Sequence, residues 1–274
     1  MPNDLNVTFA AILLLCCGAA NATLDTEDRV TTQISASLGE FTTITQQVKP
    51  FRPLSNLQKQ LPNLPGPNAS IVKCLLEYPR TGVHTYWWPK RGEGQYDGAT
   101  TDVIVAGIPA MKGEAKGRTF CCGLTLEVLL RTIDKDPAIA GAITSETLPL
   151  FKRLWFCDQL FSPGPEDALL GFGLGKKIEN LDAALPGDFV QIWRNNRSGH
   201  SVIFVAWAYD PQGHRVGLHY WSTQPGTKGI NFNSELFGDR EATIDEKKLS
   251  ISRLLPSSEW RQVPADAVRE RFGQ

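Results

Sequence analysis

The apolar residues of this chain change period part-way along it, and few folds accommodate such a switch. Before about residue 171 the spacing is helical. In Cys121–Ile133, Leu124, Val128 and Leu129 fall at core-facing positions of an amphipathic helix. Thr119 is placed to cap its start, and Asp136-Pro137 lies beyond its end. Residues 69–78 carry Ile71, Val72, Leu75 and Leu76 at the same spacing and stop at Pro79, and 145–160 and 166–171 read as further helices. Residues 102–107 read as a short strand or part of an insert. After residue 188 the pattern is extended, with strands predicted over 188–193, 200–207, 216–222 and 248–255. Turn-rich Asn195-Asn196-Arg197-Ser198-Gly199 and Asp210-Pro211-Gln212-Gly213 connect them. Helices first and an antiparallel meander afterwards predict an α+β fold.

The length of 274 residues suits one sizeable domain with a prefix, or two small domains. Residues 1–22 read as a signal peptide. Phe9 to Cys17 form its apolar core, and Ala20-Asn21-Ala22 supply small residues for cleavage. Asp4 precedes the core where a Lys or Arg is usual, which leaves a mis-assigned start or a buried N-terminal helix as the alternative. Cys16 and Cys17 lack the small preceding residue a lipid-anchor site wants. Export to the periplasm, the cell envelope or the medium is the expectation. Residues 23–68 are polar and then Pro-rich, with one helix expected near 31–47 and a linker after it; 69–274 form the main domain. No segment is long and apolar enough for a stable membrane span. The net charge of −1 and the absence of a basic stripe give no reason to expect a nucleic acid partner.

Removing the signal leaves Cys74, Cys121, Cys122 and Cys157. A disulfide between adjacent residues is strained, so one reactive thiol among small buried cysteines is the expected inventory. A thiol at a helix start is chemically special, because unpaired N–H groups and the helix dipole favour the thiolate. His200 opens a strongly apolar strand, at a sheet rim where a cleft would lie, and can take that proton and return it as a general acid. Gly123 removes bulk beside the thiol. With Cys121 facing substrate, Leu124, Thr125 and Val128 share its side and Cys122 turns inward with Leu126 and Leu129; the reverse choice makes Cys122 the nucleophile. A third residue should accept the other imidazole N–H from the next strand. Gln224 is preferred there, with Ser222 and His219 as alternatives. His214 sits in a turn and reads as solvated, and His84 belongs to an aromatic loop. Adjacent cysteines lack the gap that clamps zinc, and no Gly-rich phosphate loop or Gly-x-Ser-x-Gly elbow is present. No metal and no cofactor are therefore expected.

This series resembles the NlpC-type and CHAP-type papain-fold peptidases and amidases. Thr81-Gly82-Val83-His84-Thr85-Tyr86-Trp87-Trp88 is similar to the family's aromatic segment, with Tyr86 nearest its tyrosine. Phe120-Cys121-Cys122-Gly123-Leu124 resembles the nucleophile motif and puts Cys121 at the nucleophile. Pro186-Gly187-Asp188-Phe189-Val190 and Gly199-His200-Ser201-Val202 resemble the later elements, in the right order. Phe120 stands where the family has Asp, Cys122 where it has Ser, and residues 92–117 form a long insertion. The resemblance implies a papain-like fold, with N-terminal helices and a cysteine at a helix start packed on an antiparallel sheet. It also implies catalytic Cys121 and His200, a groove residue at Tyr86, and hydrolysis of amide bonds in peptidoglycan stem peptides or other acyl substrates. The rival expectations are a catalytically silent papain-fold module that binds cell-wall peptides or a protein partner, and a thiol redox or metal-sensing protein.

Overall fold

The computed structural model describes residues 21–24, 29–35, 41–80, 82–89, 96–157 and 159–272. The apolar core of the expected signal peptide, and with it the export reading, lies outside them. The chain opens with an antiparallel sheet of β1 (Asn21–Leu24), β2 (Arg29–Ser35) and β3 (Phe41–Gln47). The helix expected over 31–47 is therefore corrected to strands. Thr31, Thr32, Ile34, Thr42, Thr43, Ile44 and Thr45 are β-branched, and stiff χ1 angles favour the pleated form over the helix. The Pro-rich stretch read as a linker holds α1 (Pro53–Gln60), and its Leu57 is buried in the main core. Next come α2 (Gly66–Leu76) and the β4 (Val103–Val105) and β5 (Ile108–Met111) hairpin, inside the long insertion. That hairpin turns through Ala106 and Gly107, both at positive φ (49° and 79°), the geometry of a two-residue hairpin loop.

The central helix, α3 (Cys121–Ile133), is not amphipathic in its surroundings. Leu124, Leu126, Val128, Leu129 and Leu130 are all fully buried, and so are Thr125 and Glu127. A helix covered on every side is a core helix, so its apolar pattern alone does not say which thiol faces a cleft. Buried Glu127 accepts from the Thr100 amide (2.7 Å), the Thr100 hydroxyl (2.6 Å) and Arg131 Nε (2.8 Å), which pins the insertion to α3. Short helices follow: α4 (Ile139–Ala142), α5 (Leu148–Trp155) and α6 (Pro165–Gly171). α5 occupies the middle of the helix expected over 145–160.

The remaining strands are β6 (Gly175–Lys177), β7 (Phe189–Trp193), β8 (Gly199–Tyr209), β9 (Arg215–Gln224), β10 (Gly229–Leu236) and β11 (Ser250–Leu254), followed by α7 (Ala265–Arg271). They form one six-stranded sheet in the order β10-β9-β8-β7-β11-β6, antiparallel at every junction. The α+β class is thus observed. One core cluster joins α2, α3, α5 and α6 to Phe189, Ile203, Val205 and Trp221 of the sheet. A second joins Val190, Ile192, Val202, Phe204 and Tyr220 on the alternate residues. Among the described residues no helix is long and apolar enough to cross a membrane.

Candidate active site

Between β8 and β9 the first ladder pair on this side is Ile203↔Trp221, although β8 starts at Gly199 and β9 runs on to Gln224. The strands part there, and the start of α3 enters the notch. Backbone groups released by the missing ladder must be satisfied otherwise. The Ser201 N–H donates to the Cys121 sulfur, and the Ser201 carbonyl accepts from the Ser222 hydroxyl at 2.9 Å. Thr119 Oγ1 donates to Thr223 Oγ1 at 2.9 Å, tying the lead-in of α3 to β9. Thr119 is thus not the helix cap: Phe120 occupies that position and makes no side-chain capping bond.

The sulfur of Cys121 accepts hydrogen bonds from the Cys122 thiol and from the His200 imidazole. The Cys122 bond contributes most to holding the Cys121 thiol well below the ordinary thiol range. Burial pulls the other way, and the His200 bond, the His200 charge and the Ser201 amide add to the lowering. The two residues far apart in sequence therefore meet. His200 Nε2 is buried without a hydrogen-bond partner, so we assign the bond to the Cys121 sulfur to Nδ1. Cys121 is 7% exposed.

Tyr86 lies beside this site through the backbone. It bridges to Thr119, the Trp87 N–H donates to the Thr119 carbonyl (2.9 Å), and the Thr119 N–H donates to Thr85 (3.0 Å). Trp88 packs on Phe120 with ring centroids 4.7 Å apart, and Tyr96 (5.4 Å) and Phe156 (6.0 Å) complete an aromatic wall beside the helix start. Gly123 serves packing rather than substrate access, because a Cβ there would lie 2.0 Å from the Asp97 carbonyl oxygen.

The candidates for the third residue have different surroundings. Gln224 Oε1 lies 2.8 Å from the Tyr220 hydroxyl, its Nε2 is buried without a partner, and the Tyr220 ring meets the His200 ring edge-on at 5.6 Å. Ser222 is engaged with the Ser201 carbonyl. His219 is held elsewhere. It stacks on Phe51 at 4.1 Å, pairs through Nδ1 with Ser234 Oγ, and borders a cavity of about 340 Å³ with Lys49, Trp207 and Tyr209. Burial alone brings the His219 imidazole down to about 4. His214 is exposed and pairs with Asp210 at 3.0 Å.

Sequence reasoning missed Tyr220, Glu235 and Arg194. Glu235 accepts from Arg194 through both oxygens (2.6 and 2.7 Å) and from Tyr220 Oη (2.6 Å). Burial pushes the Glu235 carboxyl up, but Arg194, then His200 and Tyr220, outweigh it and hold it below its ordinary value. The alternation Asn231, Asn233, Glu235 was the available signal for a strand with one polar face. None of Cys74, Cys121, Cys122 and Cys157 is in a disulfide, and burial raises the Cys74 thiol to about 11. Among the described residues no group of three or more His, Cys, Asp or Glu side chains is placed to hold a metal. No family model matches the chain, and no curated protein or solved structure matches it either.

Proposed function

We propose that this chain is an exported cysteine hydrolase that cleaves amide bonds of peptidoglycan stem peptides or a related cell-envelope substrate. One observation carries the reading: the Cys121 sulfur receives hydrogen bonds from His200 and the Ser201 amide at the start of a buried helix, and its thiol is strongly acidified there. That arrangement suits nucleophilic attack. The thiolate adds to the carbonyl carbon, and backbone N–H groups at the start of α3 receive the developing oxyanion. His200 gives its proton to the departing amine. It then takes a proton from water as water attacks the thioester, and returns it to the sulfur on release of the acid. Gln224 orients the ring. We read the packing of α3 on the antiparallel sheet as papain-like. The substrate class rests on the resemblance to NlpC-type and CHAP-type enzymes and on the signal-like residues 1–22.

The test is turnover of peptidoglycan stem peptides and acyl reporters by the wild type and by Cys121→Ala, Cys122→Ala and His200→Ala. Loss in the first and third with retention in the second is expected, at roughly 10³-fold or more. Full activity in Cys121→Ala removes the reading. The burial of Cys121 and the aromatic wall around Phe120 favour a second reading, a silent groove that binds cell-wall peptides or a protein partner. Rapid, pH-dependent alkylation of Cys121 by iodoacetamide that His200→Ala abolishes argues against that groove.

A further inference from the structure

We propose that Tyr220, Glu235 and Arg194 form a buried positioning chain that acts through Gln224 to fix the His200 imidazole as its Nε2–H form. The proposal rests on the cysteine-hydrolase reading of the same site. All five side chains are buried, on or just after strands β7 to β10. The hydrogen-bond directions carry the argument. Tyr220 Oη lies within bonding distance of both Gln224 Oε1 (2.8 Å) and Glu235 Oε1 (2.6 Å), and it accepts from Asn233 Nδ2 at 3.0 Å. A phenol has a single proton and cannot donate to both oxygens. The ionised carboxylate is the stronger acceptor and takes it. Gln224 therefore faces the phenol with the wrong end of its amide, and its Nε2 is left buried without a partner.

Turning the amide over removes the conflict, since O and N of an amide are assigned from the network they sit in. Nε2 then donates to Tyr220 Oη, and Oε1 becomes a vacant buried acceptor. The buried imidazole nitrogen lacking a partner, His200 Nε2, is the donor to match it. Each bond now runs one way: imidazole to Gln224, Gln224 to Tyr220, Tyr220 to Glu235, with Arg194 donating to both Glu235 oxygens and, at 3.2 Å, to Ser198 Oγ near the start of β8. A proton fixed on Nε2 leaves Nδ1 to receive the Cys121 proton, so that S–H and neutral ring become thiolate and imidazolium. The charged and titratable groups around the ring are Cys121 from α3, Tyr220 from β9, Glu235 from β10 and Arg194 after β7. The Arg194–Glu235 pair is neutral as a unit, so the chain supplies orientation rather than net charge.

Iodoacetamide alkylation of the full chain across pH, assigned to Cys121 by peptide mapping, tests this. Tyr220→Phe keeps the ring against His200 and removes the hydroxyl. We expect roughly tenfold or slower alkylation at neutral pH, a changed pH profile and a melting temperature close to wild type. In a Gln224→Ala background the same change should add nothing. An unchanged rate and profile in Tyr220→Phe, with fast His200-dependent alkylation in the wild type, overturns the chain alone. Additive losses overturn the route through Gln224. Slow wild-type alkylation that ignores His200 overturns the hydrolase reading and the chain with it. Long-range ¹H–¹⁵N spectra of wild-type His200 give an answer that needs no variant. A solvent-protected proton on Nε2 supports the chain, and an Nε2 without a proton overturns it.

Discussion

Two carboxylate–guanidinium pairs sit in the same sheet, and their surroundings differ. In the first, Asp188 Oδ1 accepts from Arg253 Nε (2.7 Å) and Asn68 Nδ2 (2.8 Å), and Oδ2 accepts from Arg253 NH2 (2.8 Å) and the Leu185 amide (2.8 Å). Every acceptor site of the carboxylate is used, and each partner is scaffold: β11, α2 and the turn into β7. Gly187 completes that turn at φ +92°, where a Cβ would lie 2.8 Å from the Asn68 carbonyl oxygen. In the second, Glu235 and Arg194 bind each other just as tightly, but Tyr220 carries the network on to Gln224, and two buried nitrogens remain open at that end. The scaffold network also keeps one buried atom without a partner, Asn68 Oδ1, so an unpartnered atom alone is weak evidence of function. What distinguishes the second is where its open nitrogens lie, on and beside the His200 ring that bonds the Cys121 sulfur.

Breaking the scaffold pair gives the largest expected effect. Asp188→Ala leaves half-buried Arg253, Asn68 and the Leu185 amide without their shared acceptor, for a loss of about 3 kcal/mol in chemical denaturation. Folded Asp188→Ala protein should keep the wild-type pH profile of Cys121 alkylation. A profile displaced as far as that of Tyr220→Phe erases the distinction between the two pairs.

The comparison must be made above pH 6.5, because His219 changes stability below it. Its imidazole titrates near 6.5 unfolded and about 4 folded. Between those values the unfolded chain binds the proton and the native state does not. Stability is therefore full above pH 6.5 and falls as the pH drops towards 4, by roughly 3 kcal/mol in all. Denaturation across that range should show the slope, and His219→Gln should flatten it.

Smaller effects belong to the open end. Gln224→Ala should slow alkylation and turnover about 10- to 100-fold while moving stability by no more than about 1 kcal/mol. A large melting shift with unchanged kinetics would put Gln224 with the scaffold. The smallest is Cys122→Ala, which removes the leading contribution to Cys121 acidity. The Cys121 thiol should rise, so alkylation slows a few-fold at the acidic end of its profile above pH 6.5 and converges with wild type at higher pH.

Much of this was legible beforehand. The helix at Cys121–Ile133 and the strands around 188–193, 200–207, 216–222 and 248–255 appear close to their expected bounds, because their apolar periods are long and unbroken. The pairing of a thiol helix with the His200 strand was legible too. β10 was not, since Asn231, Asn233 and Glu235 interrupt its apolar run with polar residues that find partners only in the folded sheet. Nor were the strands over 31–47, where a helix is expected in a polar, Thr-rich stretch and the β-branched residues favour the pleated form.

The α+β class, the Cys121–Ile133 helix and the strand that His200 opens follow from local periodicity and residue chemistry, which need no knowledge of neighbours. Which thiol meets the ring does not follow, because α3 is buried all round and its pattern has no solvent side to exclude. That choice was made where β8 and β9 part and the Ser201 amide, left without a strand partner, turns to the Cys121 sulfur. Long-range packing likewise gives Gln224, Ser222 and His219 of one strand different partners, Tyr220, the Ser201 carbonyl and Ser234, which local pattern does not reveal.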